Sequence, residues 1–321
     1  MNKNPLVSVV MPVFNGEDFL LAALASVALQ DYPNIEVIVI NDGSTDKSAD
    51  VIASFSDSRP GRIKILEHPD RRRHGIAETY QLGLQHCQGK YIAFLEHDDL
   101  WLSNKLSEQV KVLEDFPQVG VVFADVHHCN SEGKVSARPF KTLVNRPPAD
   151  KPFKATWRLL WGNCVSTFSN MMVRREYLNV NDIIVSPEGF QDWMLLLKLA
   201  FRCKFYHCTR TKTFWRQRPD SFSSIMKRMP GYRSTRRLSI RKAVASAVAE
   251  KNLFSRYRLA GSFAKVYWYS AIFFLSGFER VAEFLQLRVT SLQGRQSEKT
   301  PLTYTFLEKD SQELSGCEKY S

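Results

Sequence analysis

The chain has 321 residues, 44% of them apolar and 24% charged, with 15 glycines and 14 prolines; it is long enough to bury a substantial core and too ordinary in composition for a low-complexity or collagenous chain. Its six cysteines, Cys87, Cys129, Cys164, Cys203, Cys208 and Cys317, include no Cys-x-x-Cys pair, which argues against a disulfide framework or a zinc ribbon and for reduced thiols in a cytosolic protein. Net charge is +11, and seventeen Lys or Arg fall between Lys198 and Arg258 against only Asp220 and Glu250, so a basic face belongs to the second half and attracts something anionic: phospholipid headgroups, a phosphate-bearing substrate or nucleic acid.

Met1-Asn2-Lys3-Asn4-Pro5 leads directly into the apolar run Val7-Ser8-Val9-Val10-Met11, which leaves no room for a signal peptide and predicts a buried strand stopped by Pro12. The apolar spacing of Phe19, Leu20, Ala23, Leu24 and Val27 then changes to a helical period. Residues 35–40 form a second strand, ending at Asn41-Asp42-Gly43-Ser44-Thr45-Asp46, where Gly43 permits a tight turn and Ser44 or Thr45 caps a helix running to about Phe55. A third strand over 62–66 leads through the basic loop Arg71-Arg72-Arg73-His74-Gly75 to a helix over 76–86. After it come a strand over 91–95, a helix over 103–116 and a strand over 119–124. Five alternations of strand and helix predict an α/β fold with a parallel sheet covered by helices on both faces.

That pattern is shared with dinucleotide-binding domains, but the first turn does not fit them. Pro12-Val13-Phe14-Asn15-Gly16-Glu17-Asp18 has one glycine where that fingerprint needs three, and two acids where a pyrophosphate would sit. The fourth strand ends in Glu96-His97-Asp98-Asp99. Ligands of open α/β sheets bind outside the carboxyl ends of the strands, and adjacent carboxylates there repel one another unless a hard divalent cation relieves them. A solvated acidic turn before the next helix is the competing reading.

Three segments decide between these. Val9-Val10-Met11-Pro12-Val13-Phe14-Asn15-Gly16-Glu17, Val39-Ile40-Asn41-Asp42-Gly43-Ser44-Thr45-Asp46 and Gly89-Lys90-Tyr91-Ile92-Ala93-Phe94-Leu95-Glu96-His97-Asp98-Asp99 resemble, in order and spacing, the family 2 glycosyltransferases of the GT-A fold. The likeness covers roughly residues 5–224. It implies an inverting enzyme that takes a sugar from a nucleotide-diphosphate donor, often UDP-linked, with a divalent metal (Mn or Mg). Carried over by position, Pro12, Val13, Phe14, Asn15 and Glu17 form one wall of the nucleotide pocket, which Gly75 also joins, although Phe14 can also be read as core. Asp42 meets the base edge, Asp98 the ribose or sugar, and Asp99 the metal. Two departures stand out: Glu96 where the family often has Asp, and Tyr80-Gln81 where it often has Arg-Asn. One of Arg71, Arg72 or Arg73 could replace the missing contact, or the three could form a solvated basic loop.

Beyond Asp125 the pattern becomes irregular. His127-His128-Cys129 does not read as a zinc site, because adjacent strand residues cannot all face one ion. Residues 139–152 read as a surface loop or one ordered by the donor. Asp192 opens a helix, where a carboxylate can cap; the resemblance instead makes it the catalytic base, with Gln191 where the family usually carries a further acid. Arg216 and Arg218 either clamp the diphosphate or belong to the general basic face. From residue 230 a basic helical stretch precedes a 13-residue apolar run between Lys265 and Glu279, too short to span a bilayer; it reads either as a helical lid or as contact with an anionic membrane surface.

The expected organisation is a nucleotide-sugar-binding half (1–125), an acceptor half of the same GT-A domain (126–225), a helical C-terminal extension (226–292) and a polar tail (293–321). The expected function is sugar transfer to a glycan or lipid-linked acceptor, in the cytoplasm, peripheral on the inner face of the membrane. The alternative is a non-catalytic nucleotide-sugar-binding protein whose basic half holds an anionic partner. Nucleic acid is not expected, since no RNP-like or zinc-finger motif is present.

Overall fold

The computed structural model describes residues 4–58, 61–139, 147–183 and 191–219, with 221, 224, 225 and 228. The expected C-terminal extension, apart from Arg228, and the polar tail lie outside the described residues.

The first half alternates as its periodicity predicts: β1 (Val7–Val13), α1 (Leu20–Ala28), β2 (Ile35–Asn41), α2 (Ser48–Asp57), β3 (Ile63–Glu67), α3 (Ile76–Gln85), β4 (Tyr91–Phe94), a short β5 (Leu100–Trp101) and α4 (Lys105–Asp115). The second half contributes β6 (Val119–Cys129), β7 (Val135–Pro139), β8 (Pro152–Phe153), α5 (Thr156–Trp161), β9 (Met171–Arg174), α6 (Gln191–Arg202) and β10 (Lys204–Arg216). All join one sheet in the order β3-β2-β1-β4-β9-β6-β10-β5, with β7 on β6 and β8 on β10. The strands β3, β2, β1 and β4 run parallel, β9 is antiparallel between β4 and β6, and β10 is parallel to β6.

Alternate residues of the strands serve alternate faces. Val10, Ile38 and Ile40 pack with α3, α5 and α6 on one side, whereas Val9, Met11, Val37 and Val39 pack with α1, α2 and α4 on the other. Every residue of β1 is buried, as a central parallel strand requires. A partly open cavity of about 260 Å³ lined by Leu24, Tyr32, Phe55 and Arg62 lies toward the amino ends of β2 and β3, away from the acidic turn.

Three expectations about elements need correcting. Pro12 does not stop β1, which runs on to Val13. Pairing with β4 ends at Val10↔Phe94, so the N–H that Pro12 lacks would have pointed past the end of its neighbour and costs no ladder bond. The strand expected over 119–124 is β6 and continues to Cys129, and opposite it β10 shifts register between Cys208 and Lys212. Helix α2 begins at Ser48 rather than after Ser44 or Thr45, and Asp46 Oδ1 accepts from Ser48 N at 3.0 Å in their place.

Candidate active site at the strand ends

The turns after β1 and β2 are bonded to each other. Asn15, at φ 47°, donates its N–H to Ser44 Oγ (3.1 Å) and accepts at Oδ1 from Thr45 N (2.9 Å). Gly16 N donates to Ser48 Oγ (2.8 Å), Glu17 N to Asp46 Oδ2 (2.9 Å), and Lys47 N to Glu17 Oε2 (2.8 Å). Pro12 and Val13 are buried beneath this turn. Phe14 stays half-buried outside both core clusters, with the Arg73 guanidinium 4.0 Å from its ring centroid.

Asp42, 3% exposed, accepts from His74 N at Oδ1 (2.7 Å) and from Gly75 N at Oδ2 (2.9 Å). It therefore holds the loop between β3 and α3 over the end of β2. Gly43 (φ 68°) makes that approach possible, since a Cβ there would lie 2.7 Å from the Arg72 and Arg73 backbone.

The acidic turn follows β4. Glu96, Asp98 and Asp99 each offer an oxygen within 4.8 Å of the others'. Asp99 is wholly buried; its Oδ1 accepts from Arg216 N (2.9 Å), but Oδ2 has no hydrogen-bond partner among the described residues. Burial first, then the charges of Asp98 and Glu96, push the Asp99 carboxyl well up. Burial, then Asp98 and Asp192, push Glu96 up to about 8, against a hydrogen bond from Thr167 Oγ1 (3.2 Å). The first turn touches this one: His97 packs so closely on Gly16 that a Cβ there would come within 2.4 Å of its ring.

The two arginines take different places. Arg216, 5% exposed, donates Nε to Asp98 O (2.9 Å) and Nη1 to the carbonyls of Asn130 (3.0 Å) and Ser131 (2.8 Å). It thus fastens the end of β10 under the acidic turn and is not part of a general basic face. Arg218 lies 3.0 Å through Nη2 and 3.2 Å through Nε from Asp98 Oδ2. Both guanidiniums flank Phe19, at 4.6 and 5.0 Å.

Asp192 sits in the first turn of α6, which packs on α5 through Trp193 Nε1 donating to Leu159 O (2.8 Å). Asn163 Nδ2 donates to Asp192 Oδ2 (3.0 Å). Burial raises the Asp192 carboxyl to about 6, and its charge reaches Glu96. Asp98, Asp99, Glu96 and Asp192 are therefore brought to one low-dielectric region, bordered by the first turn.

A family model described as Glycosyl transferase family 2 matches residues 8–180. The chain belongs to that family. Among its relatives, the Escherichia coli UDP-Glc:alpha-D-GlcNAc-diphosphoundecaprenol beta-1,3-glucosyltransferase WfgD is 30% identical over 205 residues, 62% of this chain and 74% of that protein. An uncharacterized glycosyltransferase of Haemophilus influenzae is 40% identical over 109 residues, 34% of this chain and 42% of that one. The chain thus spans about two fifths of the length of some of the relatives it matches. S. aureus TarS 1–349 in complex with UDP-GlcNAc has TM-score 0.58 at 16% identity, covering 79% of this chain and 74% of its own. The mannosyltransferase PcManGT of Pyrobaculum calidifontis, in complex with GDP-Man and Mn2+, has TM-score 0.52 at 17% identity, covering 90% and 85%. These likenesses show the fold, which is GT-A.

Some residues of this family 2 site carried no signal in the sequence. Asn163 supports Asp192 from irregular chain, and Thr167 and Ser169 support Glu96 from the cap and body of a single 3-10 turn, with Ser169 Oγ accepting from Glu96 N at 3.0 Å. Tyr80 and Gln81 both face inward: Tyr80 is wholly buried against Phe94 and Phe168, and Gln81 Nε2 donates to Ile183 O (2.7 Å). Among the described residues, no helix is long and apolar enough to cross a membrane.

Proposed function

We propose that the chain is an inverting glycosyltransferase that moves a sugar from a UDP-sugar to a glycan or lipid-linked acceptor. The observation that carries this reading is the gathering of Asp192 with three mutually repelling carboxylates at the strand ends of a family 2 domain. Asp192 acts as base. Its carboxylate takes the acceptor hydroxyl proton while that oxygen bonds to the anomeric carbon, and the bond to the nucleotide diphosphate breaks with its electron pair on the leaving oxygen. Its raised value of about 6 makes it a better base than an ordinary carboxylate, yet leaves it ionised at pH 7. Asn163 fixes its orientation.

Glu96, Asp98 and Asp99 fit a hard divalent cation, Mn or Mg, on two grounds: the buried Oδ2 of Asp99, which has no hydrogen-bond partner among the described residues, and the repulsion within the set that burial strengthens. Asp99 would hold it, and the ion would supply positive charge for the departing diphosphate. Arg218 steadies Asp98 and brings a second positive charge to the same place, whereas Arg216 is committed to holding the turn. Pro12, Val13, Phe14, Asn15 and Glu17 wall the nucleotide. Asp42 and Gly75 line the base edge, and Asp98 meets the ribose or sugar. The name of the E. coli relative supports a lipid-linked acceptor and, with the basic second half, a peripheral place on the cytoplasmic face of the membrane.

Thermal stabilisation by a panel of UDP-Glc, UDP-GlcNAc and GDP-Man, with and without Mn, tests the donor. At a hundredfold excess over Kd a true donor adds about 2.7 kcal/mol. Stabilisation by a UDP-sugar only with Mn is expected. Indifference to every donor in the presence of Mn would remove the reading.

A further inference from the structure

The loop between β3 and α3 carries a feature that the transfer chemistry does not use. Both ring nitrogens of His74 face carboxylates: Nδ1 lies 2.8 Å from Glu78 Oε2 and Nε2 lies 2.9 Å from Asp70 Oδ1. An ionised carboxylate only accepts, so both contacts are hydrogen bonds only if both nitrogens carry protons, and the ring is an imidazolium. Its own N–H is one of the two that hold Asp42. The ring stacks on His68, with centroids 3.9 Å apart and 14° between planes. Because the Thr79 hydroxyl donates to Gly75 O (2.8 Å), His68 Nε2 is the donor toward Thr79 Oγ1 (3.3 Å).

We propose that His74, as a doubly protonated clamp between Asp70 and Glu78, is a positioning residue that fixes the N–H groups of residues 74 and 75 on Asp42 and so keeps the nucleotide pocket in its binding shape. The pocket's occupant rests on the function proposed above; the clamp itself does not. Among the described residues, the groups facing His74 are Asp70 on the loop, which also accepts from Arg72 N (3.1 Å), Glu78 on α3, His68 at the end of β3, whose Nε2 also lies 3.5 Å from Asp42 Oδ1, and, through the backbone, Asp42 at the end of β2. Of the loop's arginines, Arg71 pairs with Glu67 and Arg73 lies on Phe14. Hydrogen bonds from Asp70 and then Glu78 raise the His74 value above the ordinary histidine range. The clamp is complete below the unfolded value of about 6.5 and is lost as pH rises through the higher folded value.

Two replacements separate positioning from mere packing. His74→Gln cannot donate to both carboxylates, whereas His74→Arg is a permanent cation whose donors can reach both. Full-length protein is titrated with UDP at pH 6.5 and pH 8.5. Because UDP's own ionisation is common to all three proteins, the comparison between them isolates the clamp. The wild type should weaken roughly fivefold relative to His74→Arg between the two pH values, His74→Gln should be weak at both, and kcat should be unaffected where turnover is measured. In the same proteins without nucleotide, amide exchange of residues 68–75, corrected for intrinsic rate, should speed up at pH 8.5 in the wild type and not in His74→Arg. Equal protection at both pH values overturns the clamp. Failure of UDP to bind any variant, with the exchange difference present, overturns the pocket's occupant and leaves the clamp standing.

Discussion

The turns after β1 and β2 and the turn after β4 share one edge of the sheet, yet they are held in opposite ways. In the first pair the polar groups engage one another: Asn15 with Thr45, Glu17 with Lys47, and Asp42 with the N–H groups of residues 74 and 75. Asp46 shows the balance. Burial acts against its charge, but hydrogen bonds from Ser48 and Glu17 outweigh it and hold the carboxyl below its usual range. In the second region the balance falls the other way: Arg218 pairs with Asp98 and hydrogen-bond donors reach the other three, yet Glu96, Asp99 and Asp192 are all pushed up, first of all by burial. One region is a receptacle that is already folded. The other carries an electrostatic cost that a bound cation, or a proton taken from substrate, would relieve under the proposed function.

The sharpest way to break this contrast is Asp192→Asn. Loss of the base should lower kcat by roughly 10²–10⁴-fold while UDP binding in the first region is kept. The wild-type rate should rise with pH through about 6, since only the ionised carboxylate accepts the proton. Stability moves the other way. A carboxyl whose folded value is raised binds its proton more tightly folded than unfolded, so stability falls as pH rises from about 4 to about 6, and the Asn variant should lack that fall in urea titrations. An unchanged rate would end the assignment of Asp192.

Next in size is Asp99→Asn. The amide keeps an acceptor for Arg216 N but removes one of the three acids crowded at the turn. The cation-free protein should gain about 1 kcal/mol in urea unfolding, while stabilisation by Mn and donor together is lost. A variant that is destabilised, or still responds to Mn, would contradict the idea that the second region is strained by its acids. Asn163→Ala comes third: with its orienting donor gone, Asp192 should lose roughly tenfold in kcat with little change in donor KM, read in steady-state kinetics.

The same contrast explains what could be read from the sequence. The parallel half was legible because β1 and β2 are near-continuous apolar runs that serve two helix-covered faces, and because Gly43 and the run from Glu96 to Asp99 mark the turns where β2 and β4 end. Beyond Asp125 the signal fails. Strand β9 enters the sheet antiparallel between β4 and β6, a pairing that spans about eighty residues of chain from β4, and β10 departs from register opposite Asp125. Asp192 stood out only through the family's motif, and the residues that support it and Glu96, Asn163 and Thr167, lie in irregular chain and at the cap of a 3-10 turn, where their role is set by tertiary contact alone. Arg216 shows the same limit: the sequence left a diphosphate clamp and a general basic face equally open, whereas its Nε and Nη1 donate to three carbonyls.

The smallest expected effect on turnover tests the prefolded region itself. Asn15 adopts a left-handed conformation that asparagine tolerates better than alanine, and its Oδ1 accepts from Thr45 N. Three replacements separate those two contributions. Asn15→Asp keeps both and should remain close to wild type; Asn15→Gly keeps only the backbone freedom and should lose about 1 kcal/mol for the missing bond; Asn15→Ala loses both and should cost about 2 kcal/mol in urea unfolding. Because these bonds shape the pocket without touching the reacting atoms, donor KM should rise severalfold across the series while kcat holds. If kcat instead falls in step with stability, the two turns and the acidic region act as one unit, and the division between a ready receptacle and a charged region does not describe this protein.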